Sequence, residues 1–148
     1  MSAEFSYDKA ELIASNPPKG FEPIDPTLGF GARNGPIFEK ISDGTWARGF
    51  RVLEKHMNKG KICHGGMLMT FADIVAARSV YEVAEFPFVT MNLTTNFVNF
   101  GALDSWLEGR ARAIAKGKSV AFVEGEITSG ETVVMTFSGM FKIFNQRK

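Results

Sequence analysis

Residues 58–80 read Asn-Lys-Gly-Lys-Ile-Cys-His-Gly-Gly-Met-Leu-Met-Thr-Phe-Ala-Asp-Ile-Val-Ala-Ala-Arg-Ser-Val. From Met67 to Val80 the side chains are almost all apolar or small, and at 100° per residue they cover nearly every face of a helix. Such a helix is expected to be buried all round. It is too short, and with Asp73 and Arg78 too charged, to span a membrane, so its cover must be protein. Asp73 is the anomaly. Its helical neighbours are Met69, Thr70, Ala76 and Ala77, of which only Thr70 offers a hydrogen bond, and Arg78 projects to roughly the opposite side.

A buried carboxylate without a partner costs several kcal/mol or raises its own pKa. At the helix start, Gly65 and Gly66 leave the first backbone N–H groups unshielded. These donors lack intrahelical acceptors and sit at the positive end of the helix dipole, where they suit a polarised carbonyl or an oxyanion. Asp73 lies roughly on the side of Gly66 and about 10 Å along the axis. A substrate could touch both.

The spacing from Asn58 to His64-Gly65-Gly66 to Asp73, followed by Thr90-Met91-Asn92-Leu93-Thr94-Thr95-Asn96-Phe97, resembles the hot dog-fold thioesterases of the phenylacetic-acid-degradation (PaaI-like) type. The resemblance runs from about Gly35 to Phe144. It implies an α+β fold in which a curved antiparallel sheet wraps around one long buried helix. It also implies a homo-oligomer, either a dimer or a homotetramer built as a dimer of dimers, that hydrolyses acyl-CoA thioesters. Coenzyme A is then part of the substrate, and no separate cofactor is expected.

On that resemblance the Gly65 N–H polarises the thioester carbonyl. Asp73 acts from the opposite subunit, either as a general base on water or as a nucleophile. Asn58 lies near the thioester, or else caps its own loop. His64 either braces the loop or assists the leaving thiolate, and Thr90 holds the attacking water beside the carboxylate. Gly66 joins the substrate-binding set. The turn Lys116-Gly117-Lys118 is the preferred candidate for the CoA phosphates among the nearby cations, which include Arg110 and Arg112, since glycine permits close backbone approach. Where the family often has proline after the strand, this chain has Asn99-Phe100-Gly101, which alters the rim of the acyl pocket.

Other chemistries fit less well. Cys63 and His64 are adjacent and therefore diverge, without a third group to orient them as a nucleophile–base pair. His56, Cys63, His64 and Asp73 lack a metal-ligand spacing, so no metal is expected. A hydratase or dehydratase of this fold would call for a histidine in the helix, which is absent. A non-catalytic acyl-CoA binding module is the alternative from another class, although such a module would gain stability by replacing Asp73.

The 148 residues suit a single domain, 1–148, with residues 1–35 as an N-terminal arm. Seventeen basic residues against sixteen acidic ones, with no basic run, argue against a nucleic-acid partner. One cysteine excludes an internal disulfide and agrees with a cytoplasmic location, as does a start that lacks the pattern of a secretory signal. Fourteen phenylalanines supply apolar area for a deep core, an interface or an acyl pocket.

Within the arm, residues 6–15 predict a short helix with Ser6 as a possible cap, ended by Asn16-Pro17-Pro18. Residues 19–35 predict a surface segment with one helical turn at 26–30. Residues 37–41 and 45–53 predict a hairpin with Trp46, Phe50 and Val52 on one face, and residues 54–62 a polar loop. Beyond the helix, residues 88–97 predict a strand whose buried face the alternation leaves open. Residues 105–115, 119–127 and 132–144 predict a meander. In its first strand Leu107, Ala111 and Ala113 point inward and Glu108, Arg110 and Arg112 outward. In its second, Phe122 on the outer face suggests a covered patch. Residues 145–148 form a tail.

Overall fold

The computed structural model describes residues 6–25 and 29–144. Its elements in chain order are helix α1 (Lys9–Ser15), strand β1 (Glu22–Pro23), helix α2 (Gly29–Asn34), strands β2 (Phe38–Ser42) and β3 (Thr45–Arg51), a 3-10 turn (Glu54–His56), helix α3 (Gly65–Val80), and strands β4 (Phe88–Phe97), β5 (Trp106–Lys116), β6 (Val120–Ser129) and β7 (Thr132–Ile143). The strands form one antiparallel sheet in the order β1-β2-β3-β5-β6-β7-β4. The predicted curved sheet around a single long helix is what the chain adopts, with β1 an addition.

Local chemistry sets the register. Asp43 and Gly44 both have positive φ, at 52° and 75°, and join Ser42 to its partner Thr45 as a two-residue hairpin loop. In β5, Leu107 is buried while Ala111 and Ala113 pack against the core, and Arg110 and Arg112 are exposed, as the alternation predicts. Helix α3 lies on this inner face through Leu68, Phe71, Ala72, Val75, Ala76 and Val80. It approaches the sheet closely at Gly109, where a Cβ would stand 2.5 Å from Val75 Cγ2. Only glycine lets the helix settle that deeply.

The opposite face of β2, β3 and β5 carries a second, smaller core. Phe38 and Ala47 meet Phe21 of the arm, with Leu12 and Trp106 packed against them. Arg51 stacks over Trp106 and donates to Ser15 O, Asn16 O and Asp104 O, so one side chain fastens the end of α1 to the sheet.

Several expectations need correction. The N-cap of α1 is Asp8, whose Oδ1 accepts the Ala10 and Glu11 N–H groups, because a cap must directly precede the first helical residue. The helical turn of the arm lies at Gly29–Asn34; residues 26–28, where its start was expected, are outside the described residues, as are 1–5 and the tail 145–148. Helix α3 is not covered all round within one chain, since Met69 is 38% exposed and Thr70 and Asp73 are half-buried. Phe122 is likewise 40% exposed. Among the described residues no helix is long and apolar enough to cross a membrane.

Candidate active site

A tightly tied loop delivers the chain to α3. Asn58 Oδ1 accepts the N–H groups of Gly60 (2.8 Å) and Ile62 (3.4 Å), and the Asn58 N–H donates to Ile62 O. The loop-capping role of Asn58 is therefore present, and among the described residues its side-chain amide N–H groups have no acceptor. The Cys63 N–H donates to Gly101 O and the His64 N–H to His56 O, fixing the strand-like approach.

His64 is the N-cap of α3. Its Nδ1 accepts the Gly66 N–H at 2.8 Å, and its carbonyl accepts from Met67 and Leu68. Bracing is thus what the His64 ring does here, and the Gly66 donor is consumed by it. The Gly65 N–H has no acceptor among the described residues. Because the peptide is trans, the His64 carbonyl points up the helix and the Gly65 N–H points out of its positive end. Capping leaves one donor aimed outward.

Asp73 finds its partner far along the chain. Thr90 Oγ1 donates to Asp73 Oδ1 at 2.6 Å, whereas Thr70, the only local candidate, donates to Gly66 O instead. Arg78 is on the other side, paired with Glu39 at 2.8 Å and with Glu82, as the helical geometry predicts.

The face of β4 that alternation left open is decided by a bulge at Met91. Thr90 lies opposite Phe141 and Asn92 opposite Met140, so Met91 has no partner of its own. Thr90 on one side of the bulge, and Leu93, Thr95 and Phe97 on the other, consequently all face the helix. Asn92, Thr94 and Asn96 point to the outer face. Phe97 reaches the start of α3, where a Cβ on Gly65 would lie 3.1 Å from its ring. Phe97 is a site residue that sequence reasoning missed; the signal was an aromatic side chain seven positions beyond Thr90, obscured by the bulge.

One flank of α3 therefore carries the Gly65 N–H beside Phe97 at one end and Asp73 with Thr90 further along, both open toward β4. In the sheet order, β4 pairs only with β7 and its other edge has no partner among the described residues. Lys116, Gly117 and Lys118 are not part of this group. They lie past the other end of α3, where Lys116 and Lys118 line an open cleft of about 500 Å³ with Tyr81, Phe86 and Phe144. Arg112 pairs with Glu124 and Arg110 with Glu108 on the outer face.

The neighbouring thiol and imidazole are not poised for chemistry. Burial pushes the Cys63 thiol up to about 12, which removes it as a thiolate nucleophile. His56 is buried, and desolvation lowers its pKa, so the ring is held neutral.

Comparison with known proteins places these features in context. The Thioesterase superfamily model matches residues 60–136. The Pseudomonas aeruginosa protein named "Putative esterase PA0474" is 31% identical over 131 residues, covering 86% of this chain and 98% of its own. Among solved structures, the Escherichia coli PaaI protein of the phenylacetic acid degradation operon is 23% identical with a TM-score of 0.63, over 68% of this chain and 72% of that one. A Bacillus halodurans protein solved with CoA is 23% identical with a TM-score of 0.66, over 72% of each chain. A Streptococcus pneumoniae protein described as a hypothetical thioesterase, with coenzyme A, is 23% identical with a TM-score of 0.63, over 74% of this chain and 85% of that one. The shared architecture is the hot dog fold.

Proposed function

Since the chain belongs to the thioesterase superfamily, we propose that it hydrolyses acyl-CoA thioesters to the free acid and CoA. The observation that carries this is the Gly65 N–H, left without an acceptor among the described residues at the positive end of a 16-residue helix while its neighbours are capped by His64. A thioester carbonyl oxygen placed there gains a charge-stabilising donor as negative charge develops. The CoA held by the similar Bacillus halodurans and Streptococcus pneumoniae proteins supports a CoA-bearing substrate.

Asp73 supplies the base or nucleophile. Eight residues of helix separate it from Gly65, about 12 Å of rise, which is too far for both groups of one chain to serve one carbonyl. A second copy whose helix runs antiparallel beside the first would bring its own Asp73 to this Gly65. The edge of β4 that is unpaired among the described residues, with Val89 and Met91 exposed beside it, suits that dimer, and further pairing would give a tetramer. In that dimer Asn58 and Thr90 order substrate and water. Lys116 and Lys118 are the cations we assign to the phosphates, with Gly117 between them.

The test is thiol release from short-chain, long-chain and aryl acyl-CoA compounds, for the wild-type protein and Asp73→Asn. Turnover that falls at least 100-fold in the folded variant, about 2.7 kcal/mol of barrier, is the expected result. Binding of acyl-CoA without turnover would make the protein a binding module instead.

A further inference from the structure

His56 has no place in the chemistry described above, yet it is the most thoroughly engaged side chain near the helix start. It is 3% exposed. Its Nδ1 accepts the Leu53 N–H at 3.0 Å, so that nitrogen carries the lone pair, and Nε2 must then carry the proton and donate to Asn34 O at 2.8 Å. The ring stands edge-on to Phe50, centroids 5.2 Å apart. Its backbone carbonyl accepts the His64 N–H at 2.7 Å.

These contacts form a chain of constraint. Asn34 ends α2 of the arm, and Lys55 beside His56 ties the same region by bonding Arg33 O and Glu11. Through both ring nitrogens His56 fixes the 3-10 turn between arm and sheet. Through its carbonyl it holds the amide of His64, the residue whose own carbonyl and ring cap α3. The peptide that follows carries the Gly65 N–H. A bonded group at each of these atoms leaves that peptide one orientation.

We propose that His56 is a positioning residue, which uses its two ring nitrogens to lock the arm against the 53–64 segment and thereby aims the Gly65 N–H. It acts through His64 and touches no substrate. The catalytic part of this inference rests on the thioesterase function proposed above; the mechanical part does not.

The experiment compares three proteins by kcat and KM on the best acyl-CoA substrate, by melting temperature, and by NMR hydrogen exchange of the His64 and Gly66 amides. His56→Phe keeps the ring packing on Phe50 but loses both hydrogen bonds. His56→Asn keeps an acceptor close to the position of Nδ1. For His56→Phe we expect kcat to fall at least tenfold with KM within threefold, and faster exchange at the hydrogen-bonded His64 and Gly66 amides with the β6 and β7 amides unchanged. His56→Asn should recover most of the lost kcat. Retention of kcat within twofold in His56→Phe, or a His56→Asn protein as impaired as His56→Phe, would overturn the proposal. Should His56→Phe not fold, His56→Gln, which keeps a donor toward Asn34 but no acceptor for Leu53, takes its place under the same thresholds. If the wild type turns over no thioester, the proposed function fails and the exchange data alone decide: unchanged exchange at His64 and Gly66 then refutes the positioning role.

Discussion

Thr90 Oγ1 donates to Asp73 Oδ1 at 2.6 Å, joining strand β4 to the flank of helix α3 through the one carboxylate that the helix carries. The bond occupies one oxygen of Asp73 and leaves the other without a hydrogen-bond partner among the described residues; in the proposed reaction that oxygen meets the water or the thioester carbon. Thr90→Ala should lower kcat about tenfold, roughly 1.4 kcal/mol, and Thr90→Ser should retain most of it. In an Asp73→Asn background, Thr90→Ala should add little further loss, because residues acting as one unit are not additive. A double-mutant cycle on kcat checks this.

The crowding of Phe97 against Gly65 gives a separate test. An alanine at position 65 keeps the N–H but places a methyl 3.1 Å from Cε1 and 3.3 Å from Cζ of Phe97. The ring must give by a few tenths of an ångström, away from the helix start. Gly65→Ala should lower kcat/KM by roughly tenfold, and trimming the ring with Phe97→Leu should restore part of the loss in the double variant.

Gly125 has no room at all. A Cβ there would come 2.4 Å from Arg110 O, a backbone atom of the neighbouring strand, and 2.5 Å from Phe137 Cζ. Gly125→Ala should cost at least about 1–3 kcal/mol through overpacking. Gly117→Ala meets nothing closer than Val120 O at 3.7 Å and should stay within about 0.5 kcal/mol. Urea midpoints of the two variants separate these cases.

Arg51 holds the end of α1 through the carbonyls of Ser15 and Asn16, donates also to Asp104 O before β5, and lies over Trp106. Arg51→Met keeps the stem but loses the donors. We expect destabilisation of about 2–3 kcal/mol and faster proteolytic cleavage around residues 16–20, with the sheet still protected.

Stability should also report the neutral state of His56. Desolvation sets its folded pKa below the ordinary 6.5, outweighing the Asn34 carbonyl and Glu11, which favour the charged ring, while Lys55 opposes it. In the window between the folded value and 6.5 the unfolded chain binds the extra proton. Stability is therefore complete above about pH 6.5 and is lost as the pH falls through the folded pKa. Melting temperatures of the wild type and His56→Asn, compared from pH 8 to pH 5, should show a steeper acid-side fall for the wild type.

The core of the fold was legible because it rests on short-range patterns. The alternation of Leu107, Ala111 and Ala113, the Asp43-Gly44 turn and the apolar run of α3 each report a local geometry. Asp73 could be recognised as anomalous for the same reason. Its partner could not be derived from helical neighbours, since Thr90 is 17 positions away in another element and came only through resemblance. Whether Gly65 or Gly66 keeps a free N–H was equally hidden, being decided by the ring of His64 turning back onto Gly66. The open flank of α3 is invisible to periodicity, which measures how apolar a face is and not what covers it.

The unpaired Met91 has a further consequence for how this chain can change over time. A substitution on β4 alters one side chain, whereas the loss of a residue at the bulge alters the facing of a whole run of them. Deleting Met91 would restore strict alternation and rotate either Thr90 or the set Leu93, Thr95 and Phe97 to the outer surface. Either outcome dismantles one end of the helix flank while leaving composition nearly untouched. At this one strand, length decides which face the side chains beyond the bulge present.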